Sequence, residues 1–154
     1  MEKQRAVIDA LNRQQANALV QFLNTKKYHW LTYGPHFRDL HLLFEEHATA
    51  ALEAVDEYAE RALMIEGGPL ADPRRILAAA TVRASEGELN VAQMVAESVE
   101  THDRIIAELH RDTEIAANAG DIGTADLFTR LVQAQQKERW FLKEILRKHD
   151  GFEP

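Results

Sequence analysis

Residues 37–65, FRDLHLLFEEHATAALEAVDEYAERALMI, decide the fold of this 154-residue chain. The stretch contains no glycine or proline, but Gly34-Pro35 precedes it and Gly67-Gly68-Pro69 follows it. Its alanine, leucine and glutamate residues are strong helix formers. At ~1.5 Å per residue, an unbroken helix of this length spans roughly 40–48 Å, which is long for a small globular protein. The stretch therefore predicts an elongated helical bundle.

The rest of the chain also has a helical pattern, with no sustained alternation of β-branched residues. Glycine and proline residues divide it into three further long segments, at 4–32, 87–118 and 124–149. A short helix is predicted at 73–82, because Asp72 is a suitable N-cap and Pro73 fits the first helical position. Ser85 and Glu88 predict a capping box for the third long helix, and Thr124 is the predicted N-cap of the fourth.

Four long helices predict an all-α, four-helix bundle that forms one domain over residues 1–154. The connection between the second and third long helices, about 20 residues, is long enough for a crossover rather than a hairpin. The first helix has an apolar stripe that can face the core. Its members are Leu11, Leu19, Phe22 and Leu23.

Composition excludes several classes of protein. The chain has no cysteine, which excludes a disulfide framework and a thiolate metal site. No apolar run approaches the roughly 18 residues of a membrane span, and the N-terminus has no signal-peptide core, so we expect a cytoplasmic protein. The chain has 18 Lys and Arg residues and 25 Asp and Glu residues, which gives a net charge of −7. This acidic balance disfavours direct DNA binding, which depends on basic side chains.

Five residues have the side chains of a metal site: His29, His41, Glu45, Asp56 and Glu60. Imidazole and carboxylate together suit iron and zinc. The last four lie on the predicted second helix, within about 100° of one another around its axis. Glu45 and Asp56, however, are ~16 Å apart along that axis. One chain therefore carries two half-sites that cannot meet.

A two-fold axis would bring the half-sites together. If the second helix packs antiparallel against its symmetry mate, His41 and Glu45 of one subunit face Asp56 and Glu60 of the other. The small residues 48–51 between them, Ala-Thr-Ala-Ala, would allow close approach, and an isologous dimer would hold two equivalent sites. The spacing alone leaves two alternatives, a shared metal site or a set of solvated polar side chains. The paired Glu-x-x-His motif of other di-iron bundles is absent.

The chain resembles a known family. The pattern His29-Trp30-x3-Gly34-x2-Phe37-x3-His41, followed by x14-Asp56-x3-Glu60, is similar to that of the Dps mini-ferritins. The likeness covers nearly the whole chain. It implies a ferritin-like four-helix bundle with a short extra helix in the long connection, assembled into a hollow dodecamer built from two-fold dimers.

The resemblance also implies an activity. Family members are ferroxidases that oxidise Fe(II), preferably with hydrogen peroxide, at di-iron sites shared between subunits, and they store the ferric mineral inside. It assigns the catalytic ligands to His29, His41, Asp56 and Glu60. Glu45 is also a predicted metal ligand, although most members have aspartate there. Zinc is expected as a competing ion.

Further roles follow from the resemblance for three other positions. Asp121 and Asp126 would line an iron-entry pore, although an acid at the start of a helix also stabilises the helix dipole. Arg130, one turn after Asp126, would pair with it. Trp30 would either intercept stray oxidising equivalents or pack at an interface, and Trp140 is predicted to lie in the core.

The predicted function is therefore iron oxidation and storage that protects against oxidative stress. The alternative is a nucleoid-compacting DNA-binding protein with little ferroxidase activity. DNA binding is the less favoured alternative, because the lysine-rich tails that support it in some family members are missing here.

Overall fold

The structure, a computed structural model, describes residues 1–148. Within this range the regular structure is entirely helical, and this confirms the predicted all-α fold class. The helices are α1 Glu2–Leu31, α2 Phe37–Met64, α3 Pro73–Ala79, α4 Val91–Asn118 and α5 Ile122–Ile145. None of them combines the length and apolar character that crossing a membrane requires.

The helices form two antiparallel hairpins. The start of α1 contacts the end of α2, where Gln4 donates a hydrogen bond to the Ile65 carbonyl. In α4 and α5, Arg139 is paired with Asp103. The end of α2 contacts the start of α5, so α2 runs parallel to α4. The connection between α2 and α4 must therefore travel the length of the bundle, and it contains the short helix α3.

The helix boundaries agree in part with those predicted from the sequence. Asp72 caps α3 by accepting from the Arg74 amide, as predicted, with Pro73 in the first turn. That helix ends at Ala79 rather than residue 82, because the Asn17 side-chain oxygen accepts the amides of Thr81 and Val82.

Two predicted caps are wrong. The capping box of α4 joins Asn90 and Gln93, not Ser85 and Glu88, and the helix begins later than expected. The Ser85 hydroxyl instead donates to Glu97. The predicted end of the last helix, residue 149, lies outside the described residues, and α5 ends at Ile145.

At the start of α5 the N-cap is Asp121 rather than Thr124. Thr124 is fully buried, and its amide donates to the Asp121 carboxylate.

Two apolar clusters fill the bundle, one toward each end. The first includes Leu11, Tyr58, Leu109 and Phe128, and the second includes Phe44. A smaller cluster packs α3 against α1. Apolar burial of this kind supplies most of the free energy that favours folding.

The buried side of α1 differs from the predicted apolar stripe. Leu11 is buried, but Leu23 is 54% exposed. Five buried amide side chains take much of the inner face instead, and they hydrogen-bond to the long connection, α4 and α5. They are Gln14, Gln15, Asn17, Gln21 and Asn24. Trp140 was predicted to be in the core, but it is 58% exposed.

Candidate metal centre

His29 and His41 form a fixed pair where α1 ends and α2 begins. Their rings stack with centroids 3.8 Å apart and planes 18° from parallel. Nδ1 of each ring hydrogen-bonds the main-chain oxygen of the other residue, at 2.7 and 2.8 Å. A carbonyl oxygen only accepts, so both Nδ1 atoms carry the proton. In the neutral form of each ring the lone pair is then on Nε2, which is the arrangement that binds a metal ion.

Glu45 lies one turn beyond His41 and joins this pair. Its Oε2 atom is 3.4 Å from Nε2 of His29 and accepts a hydrogen bond from the Lys26 ammonium group. That hydrogen bond, followed by the nearby positive charges, lowers the pKa of Glu45. The carboxylate is therefore ionised and in reach of the imidazoles, but a metal ion would have to compete with Lys26 for it.

Asp56 and Glu60 lie farther along α2 and are exposed to solvent. Asp56 follows His41 by 15 residues on one unbroken helix, a separation of about 22 Å along the axis. Asp56 borders a cleft of about 640 Å³ between α2 and residues 69–71. Within a single chain, therefore, the histidines and this carboxylate pair do not meet.

The face of α2 that carries these residues also exposes apolar side chains. Leu52 is 47% exposed and Leu63 is 59% exposed, and Trp30 at the end of α1 is 65% exposed.

The small residues 48–51 are only partly accessible. Ala48 and Ala51 are buried inside their own bundle, at 1% and 2% exposure, whereas Thr49 is exposed and Ala50 is half-buried. A close helix contact between subunits would therefore use Thr49 and Ala50, and it stays a prediction.

The predicted pore residues differ in their surroundings. Asp121 caps α5 and pairs with Arg61, whose Nη2 lies 2.7 Å from its carboxylate. Burial raises the pKa of Asp121, but hydrogen bonds from Thr124 and Arg61 outweigh it and lower the pKa overall. Asp126 is exposed. The predicted pairing of Asp126 with Arg130 is wrong, because the Arg130 guanidinium pairs with Glu57 on α2.

One group of potential ligands was missed by sequence reasoning. His47, His102 and Glu138 lie on three different helices, and one ligand atom from each lies within 4.8 Å of the others. Spacing along the chain gives no signal for this group, because the three residues meet only through tertiary packing.

Comparisons with known proteins agree with the fold. A family model described as a ferritin-like domain matches residues 8–152. The DNA protection during starvation protein of Brevibacillus brevis is 34% identical, and the alignment covers 93% of this chain and 96% of that protein.

Solved structures give the same result. Dps from Thermosynechococcus elongatus superposes with a TM-score of 0.96 at 57% identity, covering 99% of this chain and 98% of that one. Dps from Vibrio cholerae, presented as a member of the ferritin-like diiron-carboxylate superfamily, gives 0.90 at 29% identity, covering 95% and 92%. With the family model, the curated relative and these structures in agreement, the chain belongs to the Dps family of ferritin-like proteins.

Proposed function

We propose that this protein oxidises Fe(II) at sites shared between two subunits and stores the ferric product inside a hollow assembly. The observation that carries the proposal is the locked pair His29 and His41. Both rings hold their protons on Nδ1, away from the position where iron would bind. Fixing both rings in this way costs side-chain conformational entropy, and two solvated histidines that bind nothing would not have to lose it.

The second half of the site would come from the neighbouring subunit. Asp56 and Glu60 are exposed carboxylates on the same face of α2 as His41, about 22 Å or more away along the helix. A two-fold axis across this face would place them opposite the histidines of the mate. The exposed side chains of Leu52 and Leu63 give that face an apolar surface suited to a subunit contact.

The donor set fits Fe(II) as a substrate. Carboxylate oxygens suit hard iron, and neutral imidazoles add affinity without occupying every coordination position. Hydrogen peroxide accepts two electrons and two protons to give two waters, and two Fe(II) ions supply one electron each. Pairing the ions therefore avoids the release of hydroxyl radical. Glu45 would be an additional ligand once Lys26 is displaced, and zinc would compete for the same nitrogen atoms.

Several finer parts of the function belong to this proposal. They are a dodecamer built from two-fold dimers, a cytoplasmic location, an acidic iron-entry path near Asp126, and interception of stray oxidising equivalents by Trp30. Asp121 is a weaker pore candidate, since its carboxylate is occupied by Arg61 and the α5 amides. Compaction of DNA is not favoured, because the net charge is −7 and the Lys3 ammonium donates to the Asn118 carbonyl.

The test is anaerobic loading of Fe(II) followed by addition of peroxide, with the ferric product measured by absorbance. We expect His41→Ala and Asp56→Ala each to remove most of the fast oxidation. His110→Ala and Glu114→Ala are matched controls, since both residues are exposed on α4. Unchanged rates in the first two variants would refute the site, and retardation of DNA in a gel shift at low salt would favour the alternative function.

A further inference from the structure

A layer of polar side chains crosses the middle of the bundle. It lies between the two apolar clusters and includes Gln21 on α1, His47 on α2, His102 on α4, and Gln135 and Glu138 on α5. His47 is 4% exposed and His102 is 1% exposed. Burying polar groups costs free energy unless each finds a partner. An apolar layer would avoid that cost, so the burial of these polar side chains needs a physical explanation.

Three of these side chains are arranged as ligands around one point. One ligand atom each from His47, His102 and Glu138 lies within 4.8 Å of the others. Nε2 of His102 is 3.7 Å from Oε2 of Glu138, and the two imidazole rings meet edge to face with centroids 5.7 Å apart. Ligands bound at ~2.0–2.2 Å to a common ion lie about 3–4 Å from one another. A small inward movement of the side chains would therefore close the site.

The surroundings fix His102 in the form that binds a metal ion. Its Nδ1 atom is 2.5 Å from Oε1 of Gln135. The amide of Gln135 is oriented in turn by Gln21, since each of the two amides donates to the oxygen of the other. Nδ1 of His102 is therefore the donor, and Nε2 directs its lone pair toward Glu138. Outer hydrogen bonds of this kind orient the histidine ligands of metal sites.

His47 provides a second, independent sign of a missing partner. Its Nδ1 atom is buried and has no hydrogen-bond partner among the described residues. Buried side-chain nitrogens without a partner are rare in native proteins. A bound cation is one of the few groups that would satisfy a neutral imidazole in this position.

The electrostatics of the layer agree with this arrangement. Burial lowers the pKa of His47 to about 4. Burial, with a smaller contribution from His47, lowers that of His102 to about 3. Both rings are thus neutral at physiological pH, and the 3.7 Å contact of His102 with Glu138 is not an ion pair. Burial without a compensating positive charge also raises the pKa of Glu138 to about 8, so a metal ion would bind there with release of the carboxyl proton.

Ions can reach the cluster from solvent. A cleft of about 220 Å³ between α2 and α5 is lined by His47 and Glu138, with Glu46 and Lys137 among its other residues. A metal ion would enter here and keep one coordination position for water. The cluster is therefore buried but not sealed.

We propose that His47, His102 and Glu138 form a second metal site, inside each subunit, for one divalent transition-metal ion such as Zn(II) or Fe(II). Two imidazoles and one carboxylate suit ions of this class, whereas magnesium and calcium prefer oxygen ligands alone. The site is complete within one chain. It is therefore separate from the shared site around His29 and His41 and does not depend on the proposed function.

Metal binding in a background that lacks the shared histidines tests this site. In the double variant His29→Ala/His41→Ala, Co(II) should bind with about one ion per subunit and give the visible absorption of a nitrogen- and oxygen-ligated ion. Adding Glu138→Gln, or separately His102→Gln, should weaken binding by roughly 100-fold, because even outer-shell changes cost about 10–100-fold. Glu114→Gln is the matched control, since Glu114 is an exposed carboxylate on α4 that lines neither site. Its binding should stay unchanged.

Competition separates the two candidate ions. Zn(II) and, under anaerobic conditions, Fe(II) are titrated against bound Co(II), and the ion that displaces it at lower concentration is the preferred occupant. Displacement by neither ion, or equal Co(II) binding with and without Glu138→Gln, would overturn the proposal.

A crystal of the unmodified protein soaked in Zn(II) guards against variants that fail to fold. An anomalous difference peak among the three side chains supports the site. A soaked crystal with zinc at the shared site and no peak in the bundle interior overturns it.

Discussion

Mixing two inactive variants should restore iron oxidation, and the extent of recovery follows from the geometry of α2. The first variant, His29→Ala/His41→Ala, lacks the histidine half of the proposed site. The second, Asp56→Asn/Glu60→Gln, lacks the carboxylate half. Each alone should be inactive, because every site in a dimer of identical chains then lacks one half.

A mixed dimer differs from both. One of its sites combines the two defective halves, and the other combines the two intact halves. Random pairing of equal amounts makes about half of the dimers mixed, and each mixed dimer has one intact site of two. Recovery should therefore be about one quarter of the wild-type activity per subunit, since each isologous interface holds two equivalent sites.

The assay uses co-expression of equal amounts of the two variants with different affinity tags and tandem purification of assemblies that contain both. In the proposed dodecamer nearly every assembly contains both chains, so the expected recovery stays at about one quarter, whereas purified mixed dimers would recover about one half. Initial rates of Fe(II) oxidation by peroxide are compared with wild type and with each variant alone. A site built from a single chain predicts no recovery, because neither chain has all the ligands. Mixed assemblies as inactive as the separate variants would therefore refute the shared site, even if both halves bind iron.

Three further predictions concern stability, measured by thermal or denaturant unfolding. Asp121→Ala removes the N-cap of α5 and should cost about 0.5–2 kcal/mol. Because the folded-state pKa of Asp121 is lowered, this stabilisation is present above the unfolded pKa of about 4 and is lost as the pH falls. The difference from wild type should be clear at pH ~7 and shrink below pH ~4, and a difference constant with pH would contradict this assignment. Gly123→Ala should destabilise by about 0.5–1.5 kcal/mol, because the new Cβ would lie 2.7 Å from Nη2 of Arg61 and push that side chain away from Asp121 and Thr124. Gly68→Ala, where the Cβ meets nothing within 4 Å, is the control, and equal effects of the two changes would refute the clash. Phe128→Ala empties a fully buried position and should cost about 3–5 kcal/mol, whereas a change below ~1 kcal/mol would show that the core there is loosely packed.

The long helices were predictable because local chemistry determines them. Strong helix formers fill residues 37–65, and glycine and proline residues bracket the segment, so α2 matches its prediction within a residue. Caps are harder to predict, because several nearby residues can serve. Ser85 was a suitable cap by type, but it binds Asn24 on α1 and Glu97 in the second turn of α4 instead, and this competition is decided by tertiary packing.

The candidate site, too, could be predicted from the sequence only in part. His29 and His41 could be singled out from their spacing, and the structure adds the exchange of hydrogen bonds that places a proton on each Nδ1. The link between Glu45 and Lys26 was not foreseen, since it joins two helices. Sequence reasoning found no partner for His47 or His102, because their partner Glu138 lies on a third helix. Periodicity describes one helix at a time and contains no information about which faces meet.

The buried amides of α1 determine its position along the neighbouring helices. Each must meet one partner elsewhere in the chain, such as the Asp112 carboxylate for Gln14 or Glu108 for Asn17. Sliding α1 along the bundle by one turn, ~5.4 Å, would break these bonds together and leave several polar groups unsatisfied. Leucines in their place would tolerate such a slip far better. The amides thus set the register of α1, and with it the height at which His29 reaches His41.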